Sequence, residues 1–165
     1  MAEHSPRPGE VSIRIEINGR AHSIDVEPRT TLLELLRERL DLTGAKPACE
    51  RGECGACAVL VDDRPMNACH LLAVQAAGQR IVTIESLSER PDFKPLLDAF
   101  VNRDAGQCGY CTPGFAIAAY AALRDEPVLN EAQIRWALVG HICRCNAYDG
   151  IVAAVREAAA KTGRS

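Results

Sequence analysis

The sequence has few aromatic residues and no long apolar run. Phe, Trp and Tyr together make up 4% of its 165 residues. No segment approaches the roughly 20 consecutive apolar residues that a membrane-spanning helix needs. The first ten residues, MAEHSPRPGE, contain no apolar stretch, so they read as a flexible tail rather than a secretory signal peptide. A twin-arginine motif is also missing. These absences predict a cytoplasmic protein that does not associate with membranes.

Runs of like charge are missing too. The chain carries 19 Lys and Arg residues against 22 Asp and Glu residues, and both signs are scattered along it. Proteins that bind nucleic acids usually collect basic residues on one face, so no nucleic-acid partner is expected. With 47% hydrophobic residues, the chain can bury a core in one domain or in two small ones.

Cysteine, by contrast, is abundant, with eight residues. Disulfides rarely persist in the cytoplasm, because the thiol pool there keeps cysteines reduced. Metal ligation or redox chemistry is therefore the leading explanation for the eight thiols.

The chain begins with a predicted β-hairpin. Apolar and polar residues alternate across 11–17 and again across 24–26, which is typical of strands with one buried face. The pair Asn18-Gly19 between them favours a two-residue hairpin turn.

A helix and two further strands are predicted in the rest of the first half. Thr30 or Thr31 can cap a helix whose leucines run from Leu32 to Leu40 and which ends near 43–44. Short strands are expected at 58–61 and 81–84.

The second half changes character. The polar stretch 86–95 contains two prolines, which suits a connector between modules. Beyond it the sequence is rich in Ala and Leu and shows no strand alternation. It predicts about four helices, around 96–101, 115–123, 132–139 and 151–159.

The first cysteine set lies in CERGECGAC, residues 49–57. Its spacing, C-x4-C-x2-C with a more distant fourth thiol, is the plant-type ferredoxin spacing for a [2Fe–2S] cluster. Gly52 and Gly55 let the loop turn tightly and bring backbone N–H groups close to sulfur. A structural zinc site is the alternative, but zinc ligands usually come in two short hooks rather than three in one loop. The four candidate ligands are Cys49, Cys54, Cys57 and Cys69.

The second cysteine set combines QCGYC with CRC. Cys108 and Cys111 precede a helix in which Thr112 can be the N-cap and Pro113 the first residue. Cys143 and Cys145 precede a helix that starts near residue 148 and carries an acidic residue in its first turn. The partial positive charge of two helix N-termini favours an anionic cluster. Taken alone, the set also suits zinc or a redox dithiol; beside a ferredoxin loop it predicts a second [2Fe–2S] cluster.

Two histidines lie near these cysteines. His70 follows Cys69, and His141 precedes Cys143 by two residues. A Rieske-type site would use two histidines on one iron, but eight thiols already complete two sets. Both histidines are therefore interpreted as surface residues or as neighbours of the ligands.

Together, the motifs CERGECGAC…MNAC, QCGYCTPG and HICRCNAY resemble the small iron–sulfur subunit of the molybdenum hydroxylases, the xanthine dehydrogenase and aldehyde oxidoreductase family. The resemblance runs from about Val11 to Ala159. It implies an α+β fold in which a plant-ferredoxin-like (β-grasp) domain precedes an all-α four-helix domain, with one cluster in each. The expected division is a tail at 1–9, the first domain at 10–86, a linker at 87–95, the helical domain at 96–160 and a tail at 161–165.

The resemblance also implies partners and cofactors. Family members act with a large subunit that carries molybdopterin and, in most cases, a medium subunit that carries FAD, in an αβγ complex or its dimer. Substrate is oxidised at molybdenum, and electrons pass through the helical-domain cluster, the ferredoxin-type cluster and the flavin. The substrate would be an aldehyde, a purine or an N-heterocycle. The protein supplies placement and electrostatics, and the cofactors carry the chemistry.

Two residues match positions that meet the pterin in the family. Gln107 matches a glutamine that hydrogen-bonds the pterin, and Cys145 matches the ligand whose sulfur lies closest to it. An amide suits this task because it offers both donors and an acceptor. Three residues depart from the commoner family pattern without removing a ligand, namely Ala48, Asn146 and Ala147.

No residue of the chain stands out as a catalytic base or nucleophile. Glu50 and Glu53 lie inside the first cysteine loop, where solvent-facing carboxylates are expected. The chain is thus predicted to be an electron-transfer subunit that is not catalytic alone. A free-standing two-cluster ferredoxin and a zinc-stabilised interaction module are the alternatives.

Overall fold

A computed structural model describes residues 7–162. Most of the two predicted tails, at 1–6 and 163–165, lies outside the described residues. None of the helices in the described part of the chain is both long and apolar enough to cross a membrane.

The first half forms a five-stranded mixed sheet. Its strands lie in the order β2-β1-β5-β3-β4; β1 and β5 are parallel, and the other neighbours are antiparallel. The strands are β1 (Val11–Ile17), β2 (Arg20–Val26), β3 (Ala58–Val61), β4 (Arg64–Asn67) and β5 (Arg80–Val82).

The predicted hairpin is confirmed. Ile13, Ile15 and Ile17 are buried and alternate with exposed residues along β1. Asn18 and Gly19 have φ of 52° and 75°, and positive φ at both central residues is what a type I′ turn requires.

Strand β4 was not predicted. Its residues show no burial alternation and include Pro65, which cannot donate a ladder hydrogen bond. Proline is tolerated there because β4 is at the edge of the sheet. Strand β5 ends at Val82, earlier than expected. Thr83 is at the N-cap position of the next helix, without a side-chain capping bond, and is held by the side chain of Asn18.

The predicted first helix is shorter than expected. Thr31 and Glu34 form a capping box at the start of α1 (Leu32–Glu34), which continues as a π-helical turn (Leu35–Arg39). The expected end near 43–44 is wrong, since the helix ends at Arg39 and Asp41 has a φ of 56°.

In the part that the structure describes, the second half contains the four predicted helices and one short additional helix. The short helix is α2 (Ile84–Ser88); the other four are α3 (Lys94–Asn102), α4 (Thr112–Asp125), α5 (Glu131–Ala137) and α6 (Tyr148–Thr162). The segment 87–95 packs against the helical half, because Leu87 and Phe93 are fully buried in its core. The observed architecture is the expected α+β fold, with a ferredoxin-like half followed by a helical half.

Strand β3 belongs to two cores. Ala58 and Leu60 pack with the helices of the second half, whereas Val59 and Val61 pack with the sheet and α1. All four residues are buried, which explains why β3 is a continuous apolar run. The two halves are therefore packed against each other.

Candidate metal centres

The first cysteine loop, residues 49–57, is shaped by left-handed backbone conformations. Glu50, Gly52 and Gly55 have φ of 53°, 80° and 69°. The carbonyl of Gly52 accepts a 2.9 Å hydrogen bond from the amide side chain of Asn67, at the end of β4. This bond ties the loop to the short 3₁₀ turn Ala68–His70, which carries the fourth cysteine.

The thiols of the first set interact with one another, most directly in two pairs, with a weaker charge interaction between Cys54 and Cys57. Cys49 interacts directly with Cys54, and Cys57 with Cys69. A hydrogen bond from the Arg51 backbone amide is the main reason that the pKa of Cys49 is lowered to about 7. Burial raises the pKa of Cys57 to about 12. A thiol buried in this way ionises readily only when a metal cation replaces its proton.

The second set repeats this arrangement between the helices. Cys108 interacts with Cys145, and Cys111 with Cys143. The Tyr110 backbone amide lowers the pKa of Cys108, whereas burial raises the pKa of Cys111 to about 12. Each set thus contains one exposed or partly exposed thiol that ionises easily and one that resists ionisation.

Two thiol pairs at each site fit a two-iron cluster. A [2Fe–2S] cluster with four cysteine ligands places two thiolates on each iron. A mononuclear zinc site would need all four around one ion. The donor chemistry and the pairing therefore suit [2Fe–2S] clusters, each of which would supply one-electron redox chemistry.

The starts of the two helices differ in part from expectation. Helix α4 has Cys111, not Thr112, at its N-cap position, with no side-chain capping bond and with Pro113 in the first turn. The predicted Thr112 cap is wrong because the loop already enters helical conformation at Cys111, with φ −84° and ψ −13°. Helix α6 begins at Tyr148 with Asp149 in its first turn, as predicted.

Cys143 makes one hydrogen bond through its sulfur and one through its backbone amide. The amide of Ala147 donates a 3.3 Å hydrogen bond to its Sγ atom, and its own amide donates one of 2.9 Å to the Tyr148 hydroxyl. Asn146, which lies between Cys145 and Ala147, has a φ of 61°, a conformation that Asn tolerates better than most residues. Two of the three departures from the family pattern thus lie where the backbone turns to face a sulfur.

Gln107 lies beside the second site. Its Nε2 atom donates a 3.0 Å hydrogen bond to the carbonyl oxygen of Cys145. Both Gln107 and Cys108 are exposed. The described residues give the Gln107 Oε1 atom no hydrogen-bond partner, so this exposed side chain keeps a free acceptor beside the exposed thiol.

The two histidines have different surroundings. His70 is exposed and lies against Gly52. His141 has both ring nitrogens buried, with no hydrogen-bond partner among the described residues, and burial lowers its pKa to about 4. Its ring packs on Phe115 at a centroid distance of 5.2 Å. This packing was not predictable from the sequence, because Phe115 is distant along the chain.

The two sites contact each other through their loops. The amide of Ile142 donates a 3.0 Å hydrogen bond to the carbonyl of Cys54. The hydroxyl of Tyr110 donates to the carbonyl of Pro47, just before the first site. These long-range bonds link one cysteine segment to the other and were not predictable from either motif alone.

The two sites also have separate exposed sides. Cys108 is at the surface of the helical half. Cys69 is one of the residues that line a groove of about 510 Å³, together with Arg37, Glu38 and Glu50. Glu50 and Glu53 are exposed, as expected for solvent-facing carboxylates.

Two protein-family models match the chain. A 2Fe-2S iron-sulfur cluster binding domain matches residues 15–80, and a [2Fe-2S] binding domain matches residues 83–156. The two matches together span most of the chain and correspond to its two halves.

Curated relatives are similar along most of their length. The chain is 39% identical to the aldehyde oxidoreductase iron-sulfur-binding subunit PaoA of Escherichia coli K12, over 94% of this chain and 74% of that protein. It is 44% identical to the nicotinate dehydrogenase small FeS subunit of Eubacterium barkeri, over 90% of this chain and 95% of that protein.

Solved structures agree with the fold. Quinoline 2-oxidoreductase from Pseudomonas putida 86 superimposes with a TM-score of 0.88 at 39% identity, over 94% of this chain and 97% of that chain. Aldehyde oxidoreductase from Desulfovibrio gigas gives a TM-score of 0.85 at 34% identity, over 94% of this chain but only 18% of that chain. The protein therefore belongs to the family of small [2Fe–2S] electron-transfer subunits of the molybdenum hydroxylases.

Proposed function

We propose that the eight cysteines are the ligands of the two clusters. The pairing of the thiols supports one cluster per half, and each half would then be a separate cluster-binding domain, at 10–86 and 96–160, joined by 87–95. The first cluster is assigned to Cys49, Cys54, Cys57 and Cys69, and the second to Cys108, Cys111, Cys143 and Cys145.

The helical-domain cluster would receive electrons from a molybdopterin centre on a large partner subunit. The single observation that supports electron entry at this cluster is the hydrogen bond from Gln107 Nε2 to the Cys145 carbonyl. It fixes an exposed amide beside a ligand, with its Oε1 acceptor directed away from the bond. An amide with a free acceptor and a second N–H suits the donors and acceptors of a pterin edge.

The ferredoxin-type cluster would pass the electrons on to FAD on a medium subunit. The groove that Cys69 helps to line would give a partner access to this cluster. The Ile142–Cys54 hydrogen bond provides a short connection between the two ligand segments. The resulting order is pterin, second cluster, first cluster and flavin, in an αβγ complex or its dimer.

The substrate class follows from the relatives. They are named for the oxidation of aldehydes, nicotinate and xanthine, so an aldehyde, a purine or an N-heterocycle is proposed. The substrate would react on the large subunit, and this chain would contribute electron transfer alone. The cytoplasm suits a chain whose eight cysteines are all free thiols.

Purification of the native complex tests this function. Two larger chains should copurify, with molybdenum, flavin and a brown-red absorbance that bleaches when the right substrate is added. A stable monomer that is active as a soluble carrier would instead support a free-standing two-cluster ferredoxin. Stoichiometric zinc with no iron or sulfide would contradict both redox functions.

A further inference from the structure

Gly114, in the first turn of α4, lies directly on the first cysteine loop. A Cβ atom built at Gly114 would be 2.2 Å from the carbonyl oxygen of Gly55 and 3.2 Å from the Cα atom of Ala56. Gly114 is in an ordinary helical conformation, so its backbone angles do not demand glycine. What demands it is the close approach of two backbones.

Gly55 is enclosed from a second direction. A Cβ atom at Gly55 would be 2.4 Å from Cδ2 of His141 and 2.7 Å from the carbonyl oxygen of Gly140. The loop backbone at Gly55 is thus held between α4 on one side and the segment before Cys143 on the other. We call Gly55, Gly114 and His141 the glycine clamp.

Each member of the clamp is close in sequence to a cysteine of a different segment. Gly55 follows Cys54, Gly114 is three residues after Cys111, and His141 is two residues before Cys143. The hydrogen bond from Ile142 to Cys54 runs alongside these contacts. A displacement at the clamp would therefore move one cysteine set relative to the other.

We propose that the glycine clamp sets the distance between the two clusters, an inference that rests on the proposed ligand assignment. Its members are positioning residues that touch neither metal nor substrate. Backbone-to-backbone contact is stiffer than contact through long side chains, which can change rotamer. The clamp would keep the separation between the clusters constant when the molybdopterin-bearing subunit or the FAD-bearing subunit binds.

His141 acts in the clamp by its shape. Both ring nitrogens are buried without a hydrogen-bond partner among the described residues, and the ring is packed between Phe115 and Gly55. A flat ring of similar size should therefore replace it, whereas a methyl group should leave a gap beside the loop.

Electron paramagnetic resonance of the fully reduced native complex tests the clamp. Dipolar coupling between two paramagnetic clusters falls with the cube of their separation. In Gly114→Ala, the added Cβ would push the backbones apart by about 1 Å or more. The splitting between the two cluster signals should decrease and electron transfer between the clusters should slow, while each individual signal and the iron content remain.

Gly44→Ala is the matched control. Its added Cβ would overlap Cγ2 of Ile84 at 2.2 Å, a contact as close as that of Gly114 but away from the clamp. This variant should lose stability and keep the wild-type splitting. Unchanged splitting in Gly114→Ala, or an equal loss in Gly44→Ala, would overturn the inference.

Substitutions at His141 test the clamp if Gly114→Ala does not fold. His141→Phe should keep the wild-type splitting, and His141→Ala should reduce or broaden it. Equal splitting in both variants would contradict a spacing role. Absence of iron from the wild-type protein would instead contradict the proposed function, so the two failures are distinguishable.

Discussion

The backbone amide of Ile142 donates a hydrogen bond to the carbonyl oxygen of Cys54 across 3.0 Å. Ile142 precedes Cys143 in the helical half, and Cys54 lies in the middle of the ferredoxin-type loop. One bond thus joins the two cysteine sets through main-chain atoms only. The bond therefore links the two segments that carry the proposed cluster ligands, although they lie in separate halves of the chain.

Substitution of one cysteine in each set should damage one cluster and spare the other. Cys54→Ser should remove the resonance signal of the ferredoxin-type cluster and block electron exit, leaving molybdenum reducible by substrate. Cys108→Ser should interrupt the step next to molybdenum. The measurement is the paramagnetic resonance spectrum of each reduced complex together with its iron content. Loss of the helical-domain signal in Cys54→Ser would contradict the ligand assignment.

Replacement of Gln107 by methionine should slow electron entry into the helical-domain cluster with little effect on the stability of the protein. Gln107→Met keeps the length of the side chain but loses the bond to Cys145, which for an exposed group costs about 1 kcal/mol at most. Both clusters should persist, while reduction of the helical-domain cluster by substrate should slow in stopped-flow absorbance.

Gln75→Met is the control for this substitution. Gln75 is also exposed, and its Oε1 atom accepts one hydrogen bond, from the Leu72 amide, in a loop of the ferredoxin-like half. It should leave the reduction rate unchanged. An unchanged rate in Gln107→Met as well would argue against pterin contact.

Removal of the Asn18 side chain should destabilise the first domain. Asn18 donates to the Thr83 hydroxyl and accepts from the Thr83 amide, both at 2.9 Å, and Thr83 is 1% exposed. Asn18→Gly keeps the positive φ accessible but leaves these buried groups unpaired, at a cost of about 1–3 kcal/mol. Asn18→Ala should cost more, because alanine is also strained at that φ. Chemical denaturation measures both losses; equal stability of Asn18→Gly and wild type would show that the pair contributes nothing.

Much of the fold was predictable because its signals are local. The alternation in β1, the Asn18-Gly19 turn and the cysteine spacings each occupy a few neighbouring residues. Strand β4 was missed since Pro65 and Met66 carry no strand pattern, and pairing with β3 alone defines it. The contact of Gly114 with Gly55 was also invisible, because it depends on residues far apart in sequence.

The Glu157 carboxylate should stabilise the packing of α6 on α3 in a pH-dependent way. Hydrogen bonds from Lys161, Arg103 and Asn102 lower its pKa to about 2, from an ordinary value of 4.5. Its contribution is therefore fully present above pH 4.5 and is lost as the pH falls from 4.5 toward 2. Glu157→Gln should lower the melting temperature at pH 7, and the difference from wild type should shrink below pH 4.5.

This comparison is confined to pH values at which the cluster absorbance is unchanged. Glu126→Gln is the control, since Glu126 is an exposed carboxylate at the end of α4 whose side chain has no ion pair among the described residues. It should leave the melting temperature nearly unchanged. A Glu157→Gln difference that grows as the pH falls would reverse the expected sign.

Spin quantitation of the reduced native protein tests the two-cluster account most directly. Two [2Fe–2S] sites predict two distinct paramagnetic signals, each integrating to one spin per chain. A spectrum with no iron–sulfur signal, or with a single signal accompanied by bound zinc, would contradict it.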